Sequence, residues 1–387
     1  MTTELTPTIA SQLALGVYEI NSGDQRRLTA FLANKVFAKS SSDKTTLNAA
    51  TGGRLLKASE DGFGLCSKGA GTHKNDLFLI FRGTTTANKK ADFVTDARIG
   101  IERSSAGLPV HIGFNHTFNS MLNDIRSFIA GANISGSVHC IGHSLGGAVA
   151  SLAADWISRN TSHCVKLYTF GAPRVGTEWF TKSTTSSLGH ANMHRVYHRT
   201  DPVPMVALYP FMQAPHSQAG HFIYSSQPLT SGAAHRMTNY IKSVSSKTWL
   251  QLSGMSDQPY NLETAIQSWL KSKSPVNVYS SDFWRWVDSA LIYVIKKVTM
   301  TTIVGLQSTF IGIFTLADKI AYILAKGIDL AENVSIWVEH LMRRLMQALN
   351  MKVAATKKEL TAQLIKQVLI RIRDKAGRDA SNALKKL

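Results

Sequence analysis

The sequence predicts an α/β fold: a mostly parallel sheet with covering helices, followed by an α-helical C-terminal region. Three observations carry that reading. Short apolar runs at residues 77–81, 164–170 and 193–198 alternate with segments of helical period, the rhythm that builds a parallel sheet. Residues 138–151 run strand, tight turn and Ala-rich helix without a break. After about residue 255 the strand signal stops, and apolar residues recur at threes and fours instead.

In chain order, residues 8–38 place Ile9, Leu13, Val17, Ile20, Leu28, Leu32 and Val36 at roughly helical spacing. Residues 40–75 are rich in Ser, Thr, Lys and Gly and predict turns with short edge strands, one of them Phe63-Gly-Leu-Cys66. Leu77-Phe-Leu-Ile-Phe81 is a continuous apolar run, the pattern of a strand covered on both faces. Val110-His-Ile-Gly-Phe114 and a helix over 117–129 come before the strand that contains Val138, Cys140 and Ile141. Cys164-Val-Lys-Leu-Tyr-Thr-Phe170, Met193-His-Arg-Val-Tyr-His198 and His221-Phe-Ile-Tyr224 supply later strands, and a helix begins at Met237.

The chain of 387 residues carries a formal net charge of +18 and three cysteines, Cys66, Cys140 and Cys164. Three widely spaced thiols make no disulfide framework and no metal-ligand spacing. Without zinc-finger spacing, an aromatic RNA-binding motif or a Gly-Lys-Ser/Thr loop, the charge argues against nucleic acid and for an anionic membrane surface. Residues 1–7 have neither a basic nor an apolar stretch of the kind a secretory leader needs. The expectation is therefore synthesis in the cytoplasm without a signal peptide, export by a signal-independent system, and action at a membrane.

Gly142-His-Ser144-Leu-Gly146 fits G-x-S-x-G between a strand and a helix, which makes Ser144 the candidate nucleophile. Such an elbow aims the first amides of the helix, beginning with Leu145, at a developing oxyanion. A second donor is expected from the loop after an early strand, where Arg82-Gly-Thr84 offers Thr84. A carboxylate that fixes an imidazole tautomer is expected after the serine, and Asp201, beyond a strand end and before Pro202, fits. Of the three following histidines, His235 ends a small-residue loop ahead of a helix and is the favoured base. His221 is the runner-up as a supporting residue, and His216 lies in a polar loop. No metal or organic cofactor is implied.

Residues 10–250 resemble the class 3, fungal-type lipases of the α/β-hydrolase fold. The resemblance rests on Phe81-Arg-Gly-Thr84, Val110-His-Ile-Gly-Phe114, Gly142-His-Ser-Leu-Gly-Gly147, Tyr168-Thr-Phe-Gly-Ala-Pro-Arg-Val-Gly176, Asp201-Pro-Val-Pro204 and His235 before Tyr240. It implies Ser144, Asp201 and His235 as a triad, Thr84 and Leu145 as the oxyanion hole, and cleavage of glycerolipid carboxylic esters. The chain departs from the family pattern at residues 85–96, where an apolar lid helix is expected but the sequence is polar and basic, with Phe93 and Val94 its only apolar candidates. The apolar stretch 205–212, with Met205, Leu208, Tyr209 and Phe211, is the candidate acyl channel together with Phe93.

The expected division is a catalytic domain at 1–254 and a helical, basic region at 255–387 that docks on membrane, on a partner or back on the first domain. Residues 298–317 form a charge-free run of spanning length, but its seven Thr, Ser and Gln residues favour a buried helix or hairpin. Residues 341–387 hold twelve Lys/Arg against Glu359, Asp374 and Asp379, a composition suited to anionic headgroups. The function expected is a phospholipase A-type lipase, with a neutral triacylglycerol lipase or esterase and a membrane-inserting or pore-forming protein as alternatives. The apparent lack of a leader together with the tail also resembles antibacterial lipase effectors, which implies an immunity or inhibitor protein and a secretion-apparatus partner.

Overall fold

The computed structural model describes residues 4–51, 59–84, 100–216, 220–224, 227, 229–253, 260, 262–301 and 316–385. The strands are β1 (Lys44–Thr51), β2 (Ser59–Lys68), β3 (Leu77–Phe81), β4 (Ile101–Arg103), β5 (Pro109–His111), β6 (Ser137–His143), β7 (Cys164–Phe170), β8 (Gly176–Thr177), β9 (Met193–His198), β10 (Phe211–Met212) and β11 (His221–Ile223). The helices are α1 (Pro7–Gly16), α2 (Gln25–Leu32), α3 (Ile112–Ala132), α4 (Leu145–Asn160), α5 (Glu178–Leu188), α6 (Met237–Val244), α7 (Trp249–Leu252), α8 (Glu263–Lys271), α9 (Phe283–Thr301), α10 (Leu316–Ile328), α11 (Glu332–Ala348) and α12 (Ala362–Lys385).

Seven strands form the main sheet in the order β1-β2-β3-β6-β7-β9-β11. The first two pairings are antiparallel and the rest parallel, the α/β-hydrolase arrangement. In place of the short edge strands expected over 40–75, β1 and β2 pair along eight positions. Their Ser, Thr and Gly are tolerated because the hairpin lies at the sheet edge, where only alternate side chains need to be apolar. Register aligns the strand ends that matter: Phe81 lies opposite Gly142, and His143 opposite Phe170. The loops that leave these ends carry Thr84, Ser144 and Gly171.

Both faces of the parallel strands are covered, which is why β3 and β6 are buried at every position. One face packs on α3 and α4, with Phe118, Met121, Ile125, Val149 and Ile157 inside. The other packs on α1, α6 and α7, through Leu13, Val17, Tyr240 and Trp249. α1 starts cleanly because the Thr6 hydroxyl accepts the Ile9 amide and Pro7 stands where no amide is needed.

Helices α8–α12 enclose a separate core that includes Trp284, Leu291, Val294, Leu341, Leu345, Ile365 and Val368. α9 fastens this body to the sheet: Arg174, after β7, donates to Asp288 at 2.5 Å, and Arg199, after β9, to Asp282 at 2.9 and 2.5 Å. The Arg285 guanidinium lies over Phe222, 4.3 Å from the ring centre. The basic tail is less available to solvent than its composition suggests. Arg344 is buried and donates to the Ser274 carbonyl, and Arg343 donates to the Leu270 and Ser272 carbonyls. Lys357, Lys366, Arg373 and Lys375 each pair with a nearby carboxylate. Lys352, Lys358, Arg371 and Arg378 are exposed. Among the described residues no helix is long and apolar enough to cross a membrane. Residues 302–315, most of the charge-free run, lie outside the described residues.

Candidate active site

Ser144 sits between β6 and α4 at φ 56° and ψ −129°, a conformation that side-chain-bearing residues rarely adopt. The turn is held by the Ser144 amide, which donates to the Phe170 carbonyl at 3.0 Å. Glycines are required around it. A Cβ on Gly142 would stand 2.2 Å from the Gly146 carbonyl oxygen, and one on Gly146 would stand 2.1 Å from that of Phe81. The signature is thus a packing requirement: strand, helix and β3 approach too closely for any side chain.

Asp201, beyond β9, and His235, at the end of the 3-10 turn Gly232–His235, meet at 2.7 Å between Oδ2 and Nδ1. Burial alone pushes the Asp201 carboxyl up. The His235 ring outweighs it, together with hydrogen bonds from His235, the Tyr240 hydroxyl at 2.7 Å and the Val203 amide at 2.9 Å, so the carboxyl is held below its usual range. Asp201 therefore stays ionised and fixes the proton on Nδ1. His235 Nε2 is buried without a hydrogen-bond partner. Gly171, at φ +57°, lets the backbone pass this pair, where a Cβ would lie 2.8 Å from Asp201 Oδ2.

A second chain of hydrogen bonds ties the base to the loop after β3. The Gly83 amide donates to the Tyr18 hydroxyl at 2.9 Å, and that hydroxyl meets His143 Nδ1 at 2.7 Å. His143 Nε2 lies 2.8 Å from the His235 carbonyl, which can only accept, so Nε2 carries the proton and Tyr18 donates to Nδ1. Burial and the neighbouring His235 bring the His143 pKa down to about 3, consistent with a neutral ring. Buried Arg82 clamps the same loop, donating to the Gly62 and Gly83 carbonyls. A Cβ on Gly83 would lie 2.8 Å from Ser144 Cβ, which places this loop against the nucleophile. Thr84 follows directly. Leu145 opens α4, so its amide has no acceptor within the helix.

The structure thus brings Ser144, Asp201, His235, Thr84 and Leu145 to one end of the sheet. His216 and His221 lie elsewhere: His221 Nε2 is 3.2 Å from His194 Nδ1, and His216 Nδ1 is 3.4 Å from the Thr181 hydroxyl. Of the acyl-channel candidates, Phe93 lies outside the described residues, as does the flap at 85–96. Met205, Leu208 and Tyr209 pack on the helical body, and Phe211 is fully buried with Val203 and Ala207. Tyr18, His143 and Tyr240 are the contributors that sequence reasoning did not assign a role. Only His143 and Tyr240 lay inside recognisable motifs.

One group among the described residues has the donor set of a metal site: His73, Asp76 and His139, all buried, with ligand atoms within 4.8 Å of one another. It lies at the opposite end of β3 and β6. Its carboxylate is already occupied, by His73 Nδ1 at 2.7 Å, His139 Nε2 at 3.3 Å and the Ser137 amide at 2.8 Å. A cleft of about 400 Å³ between α11 and α12, lined in part by Met346, Met351 and Leu364, contains none of the residues around Ser144.

A strained serine between strand and helix, with a buried Asp–His pair at the same end of the sheet, is the arrangement of a nucleophile elbow on an α/β-hydrolase fold. Residues 78–211 match the family model "Lipase (class 3)". Over 136 residues the chain is 37% identical to "Secreted mono- and diacylglycerol lipase 1" of Fusarium solani, covering 34% of this chain and 39% of that protein. It is 32% identical over 142 residues to "Secreted mono- and diacylglycerol lipase A" of Penicillium cyclopium, covering 35% of this chain and 45% of the relative. The chain thus spans less than half the length of these curated relatives. Among solved structures, lipase II from Rhizopus niveus aligns with 59% of this chain and 82% of its own at 21% identity, with a TM-score of 0.38. Lip2 lipase from Yarrowia lipolytica aligns with 60% and 82% at 20% identity, with a TM-score of 0.40. The curated relatives are named as secreted proteins, and this finding overturns the expectation of a cytoplasmic product leaving by a signal-independent route.

Proposed function

We propose that the chain hydrolyses carboxylic esters of glycerolipids outside the cell, through an acyl-enzyme on Ser144. The observation that carries this is the buried 2.7 Å Asp201–His235 pair beside a serine held at an elbow. His235 Nε2 removes the Ser144 proton as Oγ attacks the ester carbonyl, while ionised Asp201 stabilises the imidazolium. The Leu145 and Thr84 amides take the oxyanion, and His235 returns the proton to the leaving alcohol. Water then repeats the sequence in reverse and releases the fatty acid.

The chain is taken as two parts, 1–254 catalytic and 255–387 helical. The names of the relatives favour mono- and diacylglycerols as substrates. A second reading, phospholipids of an anionic membrane, is favoured by the net charge of +18 and by exposed Lys352, Lys358, Arg371 and Arg378. The antibacterial reading, with its immunity protein and secretion partner, gains no support from the fold or the relatives. Fatty-acid release from a diacylglycerol emulsion and from anionic phospholipid vesicles, with Ser144→Ala as control, tests both readings. Release from the emulsion alone selects acylglycerols, and release from vesicles selects phospholipids. Release that survives Ser144→Ala, or none from either substrate, contradicts the proposal.

A further inference from the structure

The apolar seat beside Asp201 is filled by the chain's own last helix. Val203, Val206, Ala207 and Phe211, on the segment that follows Asp201, close a buried cluster with Ala380 of α12, and Ile101 packs on it. α12 also lies against both short turns of the site, Gly232–His235 and Val203–Met205. Its inner face changes character along its length. The first half buries Ile365, Val368, Leu369 and Ile372 in the helical body, whereas in residues 376–382 the buried positions are Ala376, Gly377, Ala380 and Ser381. Small side chains let the helix come close, and over residues 376–382 they bury less apolar area than the first half does. Gly377 weakens the helix further where the two halves meet. Polar ties position it: Asp379 accepts a hydrogen bond from Trp284 and pairs with Lys375 at 3.5 Å. With the helix seated, Ser144 is 3% exposed and His235 0%.

An ester carbonyl at Ser144 carries a long acyl chain, which needs an apolar wall near the site. Among the described residues, the wall that continues from Asp201 is the one α12 occupies. Resting on the esterase reading above, we propose that the end of α12, residues 376–385, and the fatty-acyl chain of the substrate compete for one seat. Long-chain esters are then cleaved only when that end lifts, whereas small esters need less displacement.

The test uses the full-length chain and two fluorophosphonates that react with an activated serine, one small and one with a long alkyl chain. Ala380→Glu places a carboxylate in the apolar cluster and expels the helix end. Labelling of wild type by the long probe is expected to be slower than in Ala380→Glu by ~10-fold, the effect of a seat worth about 1.4 kcal/mol, with a smaller change for the small probe. Hydrogen exchange at 376–385 rises in the variant while α11 stays protected. If Ala380→Glu loses its cooperative melt, Asp379→Ala, which removes the Trp284 tie, makes the same comparison. Equal labelling of wild type and variant by both probes, with the helix end shown released by exchange, overturns the competition and leaves the esterase reading intact. Failure of both probes to label Ser144 in wild type and in every variant overturns the esterase reading itself.

Discussion

At the carboxyl ends of the parallel strands, Asp201 accepts from His235, Tyr240 and the Val203 amide. At the opposite ends of the same strands, Asp76 accepts from His73, His139 and the Ser137 amide. Both are buried carboxylate–imidazole groups, and His139, like His235, keeps one ring nitrogen without a partner. Their neighbours differ. His139 lies between the rings of Phe78 and Tyr168, stacked at 5.1 and 5.9 Å. His235 lies 4.6 Å from the ring of His143, whose successor is the strained Ser144. An Asp–His pair becomes a catalytic candidate only where the backbone delivers a nucleophile and bare amides to it. Elsewhere it is a clasp.

The largest expected effects separate the two groups by activity. Ser144→Ala and Asp201→Asn should each lower kcat by ~10⁴-fold, measured as fatty-acid release, because one removes the nucleophile and the other leaves the wrong imidazole tautomer. Asp76→Ala should instead leave kcat within about twofold and reduce stability by roughly 3–5 kcal/mol in denaturant unfolding, since two buried imidazoles and an amide lose their acceptor. A fall in kcat for Asp76→Ala at intact fold would erase the distinction.

Acid should affect the fold through the neutral buried rings. Burial lowers the pKa of His143 to about 3, of His194 to about 3 and of His221 to about 4, all below the ordinary value of 6.5. The unfolded chain therefore binds more protons than the native one below pH 6.5. Stability should fall as pH drops from 6.5 towards 4, by roughly 1 kcal/mol per pH unit for each ring. Thermal melts across that range check the sign, and a flat profile contradicts it.

The smallest expected effect concerns the link between loop and base. Tyr18→Phe removes the donor to His143 Nδ1 and the acceptor for the Gly83 amide. A loss of ~10-fold in kcat with little change in KM is expected for a positioning role. An unchanged kcat would reduce Tyr18 to packing.

Much of this was legible in the sequence where function and backbone geometry coincide. The glycines of 142–147 are there because neighbouring chains leave no room for Cβ, so the motif predicts its own structure. Asp201 and His235 could be named because each follows an apolar strand or precedes a helix at the site's end of the sheet. Tyr18 could not, since its partner is 125 positions away and nothing local marks it. The tail shows a different limit. Periodicity gave α11 and α12 their apolar faces, but it does not say what lies opposite. It counted Arg343 and Arg344 as solvated charge when both turn inward to carbonyls near α8. Nor could it reveal that Met205, Leu208 and Tyr209 would be covered by that helical body.

The measurement closest to the central claim is peptide mapping of the protein after reaction with a short-chain activated ester at low pH, where deacylation is slow. One acyl adduct on Ser144, absent in His235→Ala, is the predicted result. An adduct on another residue, or one on Ser144 that forms equally fast without His235, would contradict the assignment of Ser144, His235 and Asp201 as a working unit.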